Sequence, residues 1–116
     1  MCELISMNYD DQPFLDIHTY IVSIIPQGKR ANHYHKKKEE WIALSAGRIE
    51  ILLEDIRTHE KEQIVLDIKA KEYSIIYLPP FIAHTIKNIG ASEASIIVFS
   101  KNPEDKIDTI PYEVTL

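Results

Sequence analysis

Cysteine occurs once in this 116-residue chain, at Cys2, which excludes an intrachain disulfide framework and a thiolate-rich zinc site. Glycine occurs only as Gly28, Gly47 and Gly90, so there is no glycine-rich phosphate loop and no Gly-x-Ser-x-Gly nucleophile turn. Apolar runs are all too short to span a bilayer. The amino terminus lacks a basic stretch followed by an apolar one, so a signal peptide is not expected. The expectation is a cytoplasmic protein with no membrane partner. Clustered positive charge is scarce too. Lys36, Lys37 and Lys38 form the one basic run in a chain of net charge -5, which argues against a nucleic-acid polymer as partner.

What is present is β-forming sequence from end to end. A chain of this length makes one domain, with a core expected over residues 17–100 and an extended tail beyond it. Residues 17–25 are rich in β-branched side chains and stop at the turn signal Pro26-Gln27-Gly28. Further strands are expected over 31–35, 40–44, 48–53, 63–68, 73–78, 85–89 and 95–100. Within 48–53, Ile49, Ile51 and Leu53 share one face, while 54–62 is a charged hairpin tip. Pro79-Pro80 cannot lie inside a central strand and should make a rigid corner ahead of His84. A helical turn is expected only at 103–106. Short, regularly spaced strands argue for an all-β sandwich or small barrel.

The chemistry-bearing residues are His33-Tyr34-His35, Glu39-Glu40 and the distant His84. Two histidines one residue apart on a strand project from the same face. With a carboxylate and a third imidazole they make a set suited to a divalent transition metal. Glu40 is preferred to Glu39 because it shares a strand face with Ile42 and Leu44, whereas Glu39 belongs to the lysine-rich turn. Taken singly, each histidine is better read as a solvated or backbone-satisfied residue. A metal-free acid–base pair is the other alternative, since imidazole titrates near neutrality. His18, Asp16 and Tyr20 share a strand face and either line a cavity or face solvent, while His59 falls in the charged tip. Trp41 should face away from Glu40, and Trp41, Tyr73 and Tyr77 are expected to pack in the core.

These segments resemble the cupin superfamily, a double-stranded β-helix or jelly-roll barrel. Gly28, His33, His35, Glu40 and Gly47 follow its first motif in order; Pro79, His84 and Asn88 follow its second, where Tyr73 and Phe81 replace two glycines. The resemblance implies metal binding through His33, His35, Glu40 and His84, with zinc foremost and iron, nickel or manganese as alternatives. A closer similarity, through Asn32 to His35, Leu78-Pro79-Pro80, Asn88-Ile89-Gly90 and the tail from Asp108 to Glu113, is to cupin domains of nucleotide-sugar enzymes in surface-polysaccharide biosynthesis. Those include the C-terminal domain of capsular-polysaccharide hexulose reductases and metal-free keto-hexose isomerases. Glu40, often missing from the latter, favours the metal-bearing kind. The implied activity is epimerisation or isomerisation of a nucleotide-linked keto sugar by proton abstraction beside the ketone, with His18 or Tyr20 as candidate proton carriers. An iron dioxygenase and a non-enzymatic sugar-binding or sensor module are the rivals. Exposed edge strands add the expectation of a homodimer.

Overall fold

The computed structural model describes residues 17–101 and 107–116 in full, and 8–9, 12–13 and 106 by backbone alone. The chain is nearly all β. Its main strands are β3 (Ile17–Ile24), β4 (Lys29–His35), β5 (Glu39–Ala46), β6 (Arg48–Asp55), β7 (Lys61–Asp67), β8 (Ile75–Leu78), β9 (Ile82–Asn88), β10 (Ala94–Lys101) and β11 (Thr109–Pro111). A short pair, β1 (Asn8–Tyr9) and β2 (Gln12–Pro13), precedes them. The main strands form two antiparallel sheets, one of order β3-β10-β5-β8 and one of order β11-β4-β9-β6-β7.

Alternation explains how the sheets meet. Ala94, Ile96, Val98 and Ser100 on β10 are buried, while the residues between them are half-buried. Ile24, Ile42 and Leu78 join them from the same sheet; Ile49, Ile51 and Ile86 face them from the other. Each fully buried isoleucine stabilises the sandwich by about 1.5–3 kcal/mol. Asn88, fully buried, ties the far end by donating to the carbonyls of Ile24 and Ser92 and accepting from the Gly90 N–H. Gly47 turns β5 into β6 at φ 87°, and a Cβ there would lie 2.9 Å from the Ala94 Cα, so only glycine fits.

Several expectations change. Trp41 does face away from Glu40, but it stacks on Tyr77 at 5.2 Å on the outer sheet surface rather than packing in the core. Tyr73 is 70% exposed and precedes β8, and Tyr77 is 44% exposed. These aromatics alternate outward because Ile76 and Leu78 take the inward positions. β9 starts at Ile82, earlier than the prolines suggested, so His84 sits within a strand. Phe81, standing where the family pattern has glycine, adopts the left-handed φ of 68°, and its N–H donates to the His35 carbonyl. The tail is extended and pairs with β4 of the same chain. The described helical turn is Lys106–Asp108, whereas 102–105 and Asp16 lie outside the described residues.

Candidate metal centre

His33 and His35 lie on β4, His84 on the adjacent β9, and Glu40 on β5 of the opposite sheet. Arg30 and His33 both line the same inner cavity although three residues apart, a spacing that would put them on opposite faces of an unbroken strand. A register shift between Ala31 and His33 absorbs the extra residue, with Ala31 at φ 69° and Asn32 at φ 56°. His33 is thereby set opposite His84.

The ring centroids of His33 and His35, and of His33 and His84, are 4.7 Å apart. One donor atom from each of His33, His35, Glu40 and His84 falls within 4.8 Å of the others. His35 Nε2 is 2.9 Å and His84 Nε2 3.6 Å from Glu40 Oε1. Behind the rings, Nδ1 of His84 faces the Ile82 carbonyl and Nδ1 of His35 the Asp108 carbonyl, each at 3.1 Å. Such carbonyls take the Nδ1 proton and leave Nε2 to bind a metal. His35 therefore has acceptors at both ring nitrogens, and a neutral imidazole carries one N–H. A cation at Nε2 would satisfy that arrangement, so the residues fit a metal on their own chemistry.

Electrostatics point the same way. Burial, helped by the neighbouring His84 and His35, lowers His33 to about 4, against the pull of Glu40. Burial also lowers His84, opposed by Glu40. Burial pushes Glu40 up, but the His35 hydrogen bond and the charges of His84 and Lys38 outweigh it, leaving the carboxyl at about 2. Neutral His33 and His84 beside an ionised Glu40 are the protonation states that ligation requires.

Glu40 Oε2, the outer oxygen, accepts from the Tyr20 hydroxyl at 3.1 Å and lies 3.8 Å from Lys38 Nζ. The Lys38 side chain is only 6% exposed, unusual for a lysine, and its ammonium lies 5.9 Å from the centre of the Tyr20 ring. The cavity, of about 250 Å³, is lined by Tyr20, Arg30, His33, Glu40 and His84 and by apolar side chains such as Val22, Ile86 and Val98. A second cavity of about 240 Å³, between β5, β7 and the 67–74 loop, holds no histidine and no basic residue.

The structure thus brings His33, His35, Glu40, His84 and Tyr20 together. His18 sits on the Tyr20 strand, paired with Ser100, but is exposed and outside the cavity lining. His59 is exposed and hydrogen-bonds Glu54. Sequence reasoning passed over Arg30, Lys38 and Asp108. Lys38 was hidden in a run that reads as solvated, although it stands two residues before Glu40 and shares its strand face by period. Arg30 was masked by the irregularity at Ala31 and Asn32, and Asp108 entered only as the first residue of the tail that carries the closer resemblance, with no sign of a place at the site.

Fold and site together define a cupin-type β-sandwich domain with a candidate metal centre. The chain belongs to the polysaccharide biosynthesis C-terminal domain family, whose profile matches residues 3–110. Among solved structures it resembles the dTDP sugar isomerase of Desulfovibrio desulfuricans G20, with a TM-score of 0.79 and 17% identity over 94% of this chain and 73% of that one. QdtA, a sugar 3,4-ketoisomerase of Thermoanaerobacterium thermosaccharolyticum solved with TDP, gives a TM-score of 0.71 and 21% identity over 93% of this chain and 74% of its own. The capsular polysaccharide assembling protein CapF of Staphylococcus aureus gives 0.71 and 21% over 83% of this chain, which spans 27% of CapF. No curated protein sequence matches the chain. Among the described residues, no helix is long and apolar enough to cross a membrane.

Proposed function

We propose that this chain is a metal-dependent isomerase or epimerase of a nucleotide-linked keto sugar in surface-polysaccharide biosynthesis. His33, His35, Glu40 and His84 would hold a divalent cation, zinc in the first instance, and Tyr20 would handle the proton. The observation that carries this reading is the convergence of four donor atoms within 4.8 Å at the wall of a 250 Å³ cavity. The sugar-isomerase names of two structural relatives, and the TDP bound to one, support it.

When bound, the cation supplies Lewis acidity toward a carbonyl oxygen. The chain's own residues do the rest. Tyr20 lines the cavity, and its hydroxyl, oriented by Glu40 Oε2, would hold the proton that moves to or from a carbon beside the carbonyl. Arg30 lines the same space, and a guanidinium there suits a diphosphate. Apolar walls, including Ile42 and Ile96, keep water from the reacting carbon. A homodimer in the cytoplasm accompanies the proposal; the dimer is argued from β3, β8 and β7, which among the described residues end their sheets and leave edges a second copy would cover.

Elemental analysis of untagged protein, beside His84→Ala, is the test, followed by solvent-deuterium incorporation into a nucleotide-linked keto sugar. Stoichiometric zinc lost in the variant, together with deuterium uptake, is the expected result. Iron with oxygen consumption would replace the reading by a dioxygenase. Sugar-nucleotide binding with neither metal nor exchange would leave a binding module.

A further inference from the structure

The turn between His35 and Glu40 is organised by a residue from the far end of the chain. Asp108 is buried, 8% exposed, just ahead of β11. Its Oδ1 accepts from the Lys36 N–H at 2.8 Å, and its Oδ2 from the N–H groups of Lys37 and Lys38 at 3.2 and 3.1 Å. Three successive N–H groups on one carboxylate leave the turn little freedom, because each bond fixes a different peptide plane. The backbone carbonyl of the same residue takes Nδ1 of His35. His84, in contrast, is served by Ile82 of its own strand.

From these contacts the geometry points to Asp108 as a positioning residue for the metal centre, aiming Nε2 of His35 through its carbonyl and setting the approach of Glu40 through its carboxylate. The inference rests on the metal-site reading above. The segment after Asp108 is itself fastened down. β11 pairs with β4, the Tyr112 N–H donates to the Asn32 carbonyl, and the Val114 N–H donates to Thr85 Oγ1. The tail therefore gives Asp108 a fixed base from which to hold the turn. A carboxylate that served only to stabilise the turn would affect folding and leave the ring of His35 and the ion unaffected.

The test compares full-length Asp108→Ala and Asp108→Asn, which both keep the carbonyl and weaken its anchorage in graded fashion. Cobalt(II) titration should show binding about 10- to 100-fold weaker in Asp108→Ala, with Asp108→Asn between it and the wild type. In metal-free protein, the His35 ring N–H, held between the Asp108 carbonyl and Glu40, should exchange slowly in the wild type and be lost to rapid exchange in Asp108→Ala. Cobalt affinity within twofold of wild type and an unchanged ring N–H signal, even alongside a lower melting temperature, would overturn the proposal. A wild type that binds no cobalt, nickel or zinc defeats the metal reading instead. The ring N–H signal then still decides whether Asp108 positions His35 and Glu40. If Asp108→Ala does not fold, Asp108→Asn carries both comparisons.

Discussion

His33 stands directly across from His84 between β4 and β9, in a register that slips by one residue at Ala31 and Asn32. The slip requires two consecutive left-handed residues, neither of them glycine. Left-handed backbone costs an ordinary residue roughly 1–2 kcal/mol, and a β-branched one more. Asn32 also buries a side-chain oxygen that has no hydrogen-bond partner among the described residues. Asn32→Gly should accordingly hold or gain up to about 1 kcal/mol, while Asn32→Val should lose about 1–3 kcal/mol. Urea midpoints rank the two variants. Asn32→Val as stable as Asn32→Gly would contradict the left-handed conformation.

Lys38 makes a second prediction. Its buried ammonium lies 3.8 Å from the outer oxygen of Glu40 and offsets that negative charge. Lys38→Met should leave Glu40 buried with less compensation and lower the melting temperature of metal-free protein. A cation in the site would replace the lost charge, so the rise in melting temperature on adding zinc should be larger than in the wild type. Equal rises in the two proteins would mean that Lys38 and the ion do not share Glu40.

Tyr20→Phe removes one hydroxyl from the cavity wall and none of the four candidate ligands. Bound metal should stay near wild-type content while proton exchange falls by about 10²–10⁴. Undiminished exchange would assign the proton to another group.

Away from the site, Glu54 is buried and accepts from His59 Nδ1 at 2.9 Å and from the Tyr112 hydroxyl at 2.7 Å. These hydrogen bonds hold its carboxyl below the ordinary value of 4.5, against the effect of burial. A depressed carboxyl lends stability above its unfolded value and loses it as pH falls through the folded one. Glu54→Gln should therefore be less stable at pH 7, with the gap from wild type closing below about pH 4.5. Urea titrations between neutral and acid pH measure that gap; a constant separation would remove Glu54 from the acid response.

What the sequence revealed followed from periodicity. His33 and His35 could be placed on one face, and Glu40 with Ile42 and Leu44, because a strand alternates whatever surrounds it. What it concealed depended on partners remote in the chain. Tyr73 and Tyr77 alternate as expected, but no local signal says which face of β8 meets the other sheet. Lys38 looks solvated until the fold sets it beside Glu40, and Asp108 meets the Lys36–Lys38 turn only through the path of the tail. The irregularity at Ala31 and Asn32 breaks the very alternation on which the reading rested, and Asn32, a residue tolerant of left-handed backbone, was its one faint trace.

Three imidazoles belong to one sheet and the carboxylate to the other. Under the proposed ligation the ion is a rivet through both layers of the sandwich, and the domain has a reversible cross-link where other proteins have a covalent one. Chelator and acid would then loosen the layers as well as silence the site. Loading the ion should quiet amide exchange on β4, β9 and β5 in concert, since the two faces could no longer part independently.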